Sequence, residues 1–181
     1  MMKKIFIGLL TIFLLIISFF IYGIYIKPKS PKGESSIKHN NLELKVSYYR
    51  PYKKNRLIFG YKKDSALVPF NEYWRLGANF ATVLSSNKSI SFAGKNLNSG
   101  SYRMYAIPNP ESWEVFINSE AGAFGFYPPD KKNDVLSVNI PIKEMDESLE
   151  QFTIDFNKDS IGINLRMRWD KTKILIPVNL N

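Results

Sequence analysis

The sequence predicts an all-β fold: an antiparallel, jelly-roll-like β-sandwich with one or two short helical turns, preceded by a single N-terminal transmembrane helix. Three observations predict this fold. An uncharged, strongly apolar segment lies close to the N-terminus. After Asn41, apolar residues recur at every second position, as in strands with one buried face. Turn-forming residues interrupt these stretches about every 8–12 residues, a spacing typical of sandwiches and barrels.

The composition is that of a folded protein, and it excludes several kinds of site. The chain has 181 residues, of which 45% are hydrophobic, with no cysteine and a single histidine. The lack of cysteine excludes disulfides and thiolate nucleophiles, and we expect no metal and no other cofactor. The net charge is +9, but five of the 25 basic residues and none of the acids precede Glu34. Because this excess flanks the apolar segment, it indicates lipid head groups as the partner and not nucleic acid.

The segment from Ile5 to Ile26 predicts a signal-anchor helix that crosses the membrane once, after a short basic tail at residues 1–4. As a helix it spans roughly 33 Å, against about 30 Å of hydrocarbon. Ile5, Phe13, Tyr22 and Ile26 mark the lipid-facing anchor, and Tyr22 is placed near one interface. The alternative is a cleaved secretory signal, whose apolar region is shorter and ends in small residues. We therefore expect a single-pass protein of the cell membrane, with its domain on the extracytoplasmic (periplasmic) side.

Residues 27–41 predict a flexible linker, because proline, glycine and small polar residues dominate this stretch. The β-sandwich domain then occupies residues 42–181, and its first strand begins at Leu42. Further apolar alternation predicts strands near residues 90–92, 102–107, 113–118, 135–140, 152–156, 161–169 and 174–178. Helical turns are expected only near Asn71–Leu76 and Ile142–Leu149.

Few residues could carry catalysis. His39 lies in the predicted linker, where nothing holds the imidazole as a Ser-His-Asp triad requires. The glycine-aromatic loop Ala121–Phe126 lacks the spacing of a phosphate-binding loop. A pair of carboxylates could still act as acid and base, but spacing does not show whether two of them converge. The acids considered fall on solvent-facing strand positions, turns or loops: Glu43, Glu72, Glu111, Glu120, Asp130, Asp134, Asp155 and Asp170.

The candidate binding site is the segment Trp74–Asn79, where Trp74, Arg75 and Asn79 lie within six residues. A guanidinium offers a planar fork for a carboxylate or phosphate, an indole offers a stacking face, and an amide both donates and accepts. Arg50 and Arg56, which follow the first predicted strand, could add positive charge. The alternative is structural: Arg75 and Asn79 cap backbone groups, and Trp74 belongs to the core. Tyr49, Tyr52, Tyr105 and Tyr127 are expected to be exposed and could stack on sugars, although aromatic residues of β-domains more often serve packing.

Several segments, in this order, resemble the bacterial domain-of-unknown-function family 2911. They are Tyr48–Pro51, Arg56–Gly60, Leu67–Phe70, Trp74–Asn79, Gly100–Tyr102, Ala106–Pro108, Trp113–Val115 and Trp169–Thr172. The resemblance covers about Leu42 to Val178 and implies an exported, β-rich protein of the bacterial envelope without an assigned activity. In the family an acid usually follows the residue matched by Asn79, whereas this chain has Phe80 there. Tyr61–Ala66 resembles a local insertion.

Three functions remain open at this point. In the first, the domain is a non-catalytic envelope module that binds a small polar or glycan-like ligand, or a partner protein, near Trp74, Arg75 and Asn79. In the second, it is an envelope hydrolase that uses carboxylates in a cleft of the sandwich. In the third, it is a structural envelope component that associates through sheet edges.

Overall fold

The structure, a computed structural model, describes residues 2–27, 29–122, 124–160 and 162–180. Met1, Pro28, Ala123, Ile161 and Asn181 lie outside the described residues. The predictions made for them, as parts of the tail, the linker, the glycine-aromatic loop, one strand and the end of the domain, therefore lie outside as well.

The N-terminal segment forms the helix α1, Met2–Ile21, which continues into a π-helical turn at Tyr22–Ile26. No residue of α1 is buried, and the only hydroxyl in its first half, on Thr11, donates to the carbonyl of Ile7 at 2.9 Å. Within the described part of the chain, α1 is the one helix long and apolar enough to cross a membrane. The structure thus agrees with the prediction that a single N-terminal helix precedes the domain.

Twelve strands follow, in the part of the chain that the structure describes. They are β1 (Lys32–His39), β2 (Leu42–Tyr49), β3 (Phe59–Gly60), β4 (Val68–Pro69), β5 (Thr82–Ser86), β6 (Ile90–Phe92), β7 (Lys95–Leu97), β8 (Gly100–Pro108), β9 (Ser112–Asn118), β10 (Asp134–Pro141), β11 (Lys143–Lys158) and β12 (Ile163–Leu180). Two short 3₁₀ turns lie at Lys62–Asp64 and Lys131–Asn133.

The strands form two antiparallel sheets that share one core, so the predicted all-β fold with one N-terminal helix is confirmed. The first sheet has six strands in the order β1-β2-β5-β8-β9-β10, and the second has four in the order β11-β12-β6-β7. A small parallel pair, β3 and β4, lies outside both. Alternating burial along β2 and β12 directs Leu44 and Val46 of one sheet and Leu165 and Met167 of the other into the same hydrophobic cluster.

An aromatic cluster fills one end of this core. The rings of Trp74, Trp113, Phe152 and Trp169 lie with neighbouring centroids 4.9–5.6 Å apart for the pairs 74–113, 74–152 and 152–169. Phe59 of β3 packs on Trp113 with centroids 5.1 Å apart. Edge-to-face and tilted pairs of this kind add to the stability that burial provides. They fix the indoles on which the candidate site is built.

The prediction of a flexible linker is wrong for most of its length. Lys32–His39 forms β1, which pairs with β2 over its whole length, from Lys32 opposite Tyr49 to His39 opposite Leu42. The backbone amide of Arg50 extends this pairing by donating to the carbonyl of Pro31 at 2.8 Å. Composition did not indicate a strand, because β1 is an edge strand whose side chains alternate only between exposed and half-buried. Backbone hydrogen bonds to β2 hold β1 in place. His39, which was predicted to lie in the linker, is the last residue of this strand.

The expected helical turns are also misplaced. The segment Ile142–Leu149 runs almost entirely within β11, where Lys143 pairs with Lys173 and Leu149 pairs with Asp170. The register shifts on both sides of Leu149, and Asp170 has a left-handed backbone (φ 52°), as in a bulge. Asn71–Leu76 contains a turn and an isolated bridge from Trp74 to Ala106, but no helix. In both places pairing with a neighbouring strand overrides the local preference.

Candidate functional site

A cleft of about 520 Å³ opens at the end of the sandwich that carries the aromatic cluster. Among the described residues, the lining comes from the tether after α1, the segments that connect β2 to β5, one loop aromatic residue and one residue of β12. These residues are Lys29, Ser30, Pro51, Tyr52, Lys54, Arg56, Leu67, Val68, Pro69, Tyr73, Trp74, Arg75, Gly77, Ala78, Asn79, Phe126 and Trp169. The structure therefore brings four of the five predicted ligand-binding residues, Arg56, Trp74, Arg75 and Asn79, to one cavity.

The fifth predicted residue, Arg50, lies elsewhere. Its Nε donates to the carbonyl of Phe152 at 3.3 Å, and its Nη2 donates to the hydroxyl of Thr153 at 3.0 Å. The side chain also packs so closely on Gly33 that a Cβ there would lie 2.5 Å from Arg50 Cδ. Arg50 thus joins the edge strand β1 to β11 and serves the fold at this place.

The backbone of Trp74–Asn79 is held rigidly. Trp74 exchanges two backbone hydrogen bonds with Ala106 of β8, at 2.8 and 2.9 Å, and its ring is only 7% exposed. Leu76, Gly77 and Asn79 all have positive φ, of 54°, 143° and 55°. Such angles are uncommon for residues other than glycine and are strained for a leucine. The buried hydroxyl of Thr82 donates to the carbonyl of Leu76 at 2.6 Å, which helps to hold this conformation.

This backbone places Arg75 half-buried in the cleft wall. Its Nη1 makes one long hydrogen bond, 3.4 Å, to the carbonyl of Asn79, and its guanidinium carbon lies 5.5 Å from the ring centroid of Phe126. No carboxylate of the described residues lies within ion-pair distance of it. Burial lowers the pKa of Arg75, and the nearby charge of Arg103 lowers it further, opposed by Tyr73. An arginine nevertheless stays protonated at neutral pH.

Behind Arg75 lies a second cation, Arg103 of β8, which is only 2% exposed. Its Nη2 donates to the hydroxyl of Tyr73 and to the carbonyl of Tyr127, both at 2.6 Å, and its Nε is buried without a partner in the described part of the chain. Tyr73 in turn donates to the carbonyl of Gly125 at 3.0 Å. Arg103 therefore fixes Tyr73 in the cleft wall and contributes positive potential from beneath it.

The electrostatics of the cleft follow from its lining. Four basic side chains contribute to it, Lys29, Lys54, Arg56 and Arg75, and no Asp or Glu occurs among the described lining residues. The guanidinium of Arg56 already donates to backbone carbonyls. Its Nε donates to the carbonyl of Lys53 at 2.9 Å, and its Nη2 donates to the carbonyl of Tyr52. Arg75 has no comparable partner and keeps most of its donors available. The cavity can thus accept an anionic group beside the faces of aromatic rings.

Three of the partly buried acids, by contrast, are tied to partners outside the cleft. Asp155 accepts from Arg166 at 2.8 Å and from Arg168 at 2.6 Å. Asp170 is pulled two ways: burial raises its pKa, but hydrogen bonds from Lys53 and Ser148 and the charge of Lys53 outweigh burial, so the pKa lies below its usual value. These carboxylates stabilise the sheets where they lie.

A third acid, Asp134, accepts from the hydroxyl of Tyr105 at 2.7 Å and from the side-chain amide of Asn118 at 2.8 Å. Tyr105 was expected to be exposed, and that expectation is wrong: it is 2% exposed and stacks on Phe116 with centroids 4.6 Å apart. The cause is the loop between β9 and β10, which covers the outer face of β8. Burial and the neighbouring Asp134 raise the pKa of Tyr105 far above its usual value.

Sequence reasoning missed several lining residues. Phe126 belongs to a loop that was interpreted only by its glycines, and Tyr73 precedes the recognised segment without any distinctive spacing. Lys29 and Ser30 were assigned to the linker. Their approach to the cleft depends on how β1 pairs, and local patterns do not show this. The lysines flanking the apolar segment were a signal, but they were interpreted only in terms of lipid.

The segment Trp74–Asn79 combines the structural role and the exposure to the cleft that the sequence left as alternatives. Trp74 belongs to the core and at the same time forms the floor of the cleft. The backbone carbonyl of Asn79 accepts from the amide of Gly125 at 3.0 Å, whereas its side-chain amide has no hydrogen-bond partner among the described residues. Backbone anchoring and exposed donor groups thus coexist in one segment.

Comparison with known proteins gives one match. The model of the family described as Protein of unknown function (DUF2911) matches residues 30–178, which contain nearly all of the cleft. No curated protein and no solved structure matches the chain.

Proposed function

Since the chain belongs to the DUF2911 family, whose function is unknown, we propose from its cleft that it is a membrane-anchored, non-catalytic domain that binds a small polar ligand carrying a negative charge. The observation that carries this proposal is Arg75, a half-buried guanidinium in the wall of the cleft without an ion-pair partner among the described residues. A buried charge is unfavourable unless it is compensated, and an anionic ligand compensates it.

The rest of the ligand is hydroxylated and glycan-like. Tyr52 and Tyr73 line the cleft, and the side-chain amide of Asn79 both donates and accepts. Phenol and amide groups of this kind suit a sugar or another polyol. Binding without catalysis is supported by the polar side chains of the described lining, which are four cations, two phenols, the indoles of Trp74 and Trp169, the hydroxyl of Ser30 and the amide of Asn79, with no Asp or Glu.

We further infer that α1 anchors the protein as a single-pass signal-anchor and holds the domain in the bacterial cell envelope, on the extracytoplasmic side. The length and apolar surface of α1 support the anchor.

The test of binding is thermal unfolding of the full chain in a neutral maltoside detergent. All three tryptophans lie in the domain, so their fluorescence reports its melting. Inorganic phosphate, glycerol phosphate and glucuronate serve as anionic probes, and glucose serves as the neutral one. We expect the anions to raise Tm of the native chain by a few degrees at saturation, as any ligand of the folded state does.

The variant is Arg75→Gln, and the matched control is Arg166→Gln, which removes the same charge outside the cleft. Arg75→Gln should abolish the rise in Tm, and Arg166→Gln should leave it intact. The proposal fails if none of the anions stabilises the native chain, or if they stabilise the Arg75→Gln variant equally well.

A further inference from the structure

The cleft lies at the point where the chain leaves the membrane anchor. Its wall includes Lys29 and Ser30, and the last turn of the helix ends at Ile26. Four residues span at most about 14 Å even when fully extended. The next residue, Pro31, is already held to the domain by the amide of Arg50. The covalent chain therefore keeps this end of the sandwich close to the head-group layer, which extends roughly 5–8 Å beyond the hydrocarbon on each side.

Exposed apolar side chains lie in the cleft wall and in the loop that contributes Phe126 to it. Leu67 and Phe126 line the cleft with 39% and 58% of their surface exposed. Tyr127, whose ring centroid lies 5.0 Å from that of Phe126, is 71% exposed, and Phe124 in the same loop is 49% exposed. Of these, Tyr127 has one polar and one apolar end and is of the type favoured at the boundary between lipid and water, whereas Leu67, Phe124 and Phe126 are wholly apolar. The rim thus combines side chains that partition into a bilayer surface.

The charges inside the cleft suit a phosphate group. Arg75 offers an uncompensated planar fork, Lys29 and Lys54 are exposed beside it, and the buried Arg103 adds to the positive potential. Arginine and lysine are the side chains that bind phosphate most readily. In a bilayer, phosphate esters of small polyols lie in the head-group layer. The short connection at residues 27–31 holds the cleft close to that layer.

We propose that the ligand of the cleft is the phosphate-bearing head group of an anionic lipid, drawn from the membrane in which α1 is inserted. The phosphate lies against Arg75, the polyol lies against Tyr52 and Tyr73, and Phe126 with Leu67 contacts the start of the acyl chains. This inference rests on the proposed function and names the class and the source of its ligand.

The experiment is native mass spectrometry of the full chain in neutral micelles that contain equimolar phosphatidylglycerol and phosphatidylcholine with identical acyl chains. We expect the native chain to retain phosphatidylglycerol in preference to phosphatidylcholine. Arg75→Gln should lower this retention about tenfold, as expected for the loss of a charge-assisted contact. Arg166→Gln should leave it unchanged. Tm of each variant without lipid shows whether it is folded.

A second pair of variants separates the lipid from a free anion. Leu67→Ser removes an apolar side chain from the cleft wall, and Val135→Ser removes one of similar exposure, 48%, from β10 outside the cleft. Leu67→Ser should weaken the retention of phosphatidylglycerol while leaving the binding of glycerol phosphate intact, and Val135→Ser should change neither.

Equal retention of the two lipids, or retention that does not depend on Arg75, overturns the lipid inference. If glycerol phosphate still raises Tm through Arg75 in that case, the proposed binding function stands and its ligand is a soluble anion. If Leu67→Ser loses both ligands to the same extent, Leu67 supports the cleft itself and does not contact acyl chains, which also contradicts the inference.

Discussion

At the scale of single residues, the cleft depends on backbone angles that most residues adopt only under strain. Gly77 has a φ of 143°, and a Cβ added to it would lie 2.5 Å from the backbone oxygen of Tyr49. The neighbouring Leu76 occupies the left-handed region at φ 54°. Strained angles of this kind persist where surrounding contacts impose them, and they concentrate at functional sites. Here they turn Arg75 toward the cleft while Trp74 stays in the core.

Gly77→Ala should therefore destabilise the domain by about 2–4 kcal/mol, because the new methyl group meets backbone that cannot move away independently. Gly94→Ala is the matched control: Gly94 also has a positive φ, of 83°, but nothing lies within 4 Å of an added Cβ. Its cost should be near 1 kcal/mol, the conformational part alone. Denaturant unfolding of the full chain in neutral detergent, followed by tryptophan fluorescence, measures both. Equal costs for the two variants would contradict the close approach to Tyr49.

Residues of the cleft could be predicted only where several of them lie close together in the sequence. Trp74, Arg75 and Asn79 occur together, so their chemistry could be read directly from the chain. Arg103 could not, because its position on β8 predicts a side chain pointing away from the core. It is buried by the loop that follows β9, a contact between segments more than 20 residues apart. Burial of that kind depends on tertiary structure and leaves no periodic pattern.

At the scale of elements, strands with one buried face were predicted well and edge strands poorly. β2, β9 and β12 alternate between buried side chains and half-buried or exposed ones, so their period is visible in the sequence. β1 forms an edge and buries little, and the first half of β11 is mostly exposed, with a bulge against β12. What specifies these two segments is backbone pairing, and composition contains almost no information about it.

From the pairing of β1 with β2, we expect proline to have different effects on stability at two neighbouring serines, Ser35 and Ser36. The bond from the Arg50 amide to Pro31 sets the alternation of the antiparallel ladder, so the amide of Ser35 faces Val46 and the amide of Ser36 faces the open edge. Ser35→Pro removes a donor from the ladder and should cost about 1–3 kcal/mol. Ser36→Pro should be nearly neutral, since proline is tolerated on the outer side of an edge strand.

The measurement is again the free energy of unfolding of the full chain in detergent, from tryptophan fluorescence. If residues 32–39 behaved as a flexible linker, both proline variants would be neutral. A larger loss for Ser36→Pro than for Ser35→Pro would place the register of β1 one residue away from that observed here.

At the scale of the whole molecule, a helix with no buried residue precedes a sandwich with a complete core. The sequence was sufficient for this division, because an uncharged apolar stretch and a period of two are the strongest patterns that a chain can carry. It was not sufficient for the position of the cleft relative to the helix. That position follows from β1, which shortens the connection from the 15 residues of the predicted linker to the five between Ile26 and β1.

Sidedness can be tested on living cells. In spheroplasts of a bacterium that expresses the full chain, added protease should degrade the domain and leave a membrane-embedded fragment that contains α1. In a separate sample that is not digested, carbonate washing of the membranes should leave the intact chain in the membrane fraction, as expected of a spanning helix. A cytoplasmic protein serves as the control for lysis. A domain that resists protease until the membrane is ruptured would place it on the cytoplasmic side.

Under the proposal that the cleft binds lipid head groups, the five-residue connection between the last helical turn and β1 also sets how strongly the cleft must bind. A site that cannot diffuse away from its ligand encounters it at a fixed local concentration, which for short tethers is in the millimolar range or above. Head groups in the adjoining leaflet would occupy such a site even if its intrinsic dissociation constant were millimolar. A shallow pocket with a single uncompensated guanidinium would then be filled most of the time, and its occupancy would follow the lipid composition of the membrane.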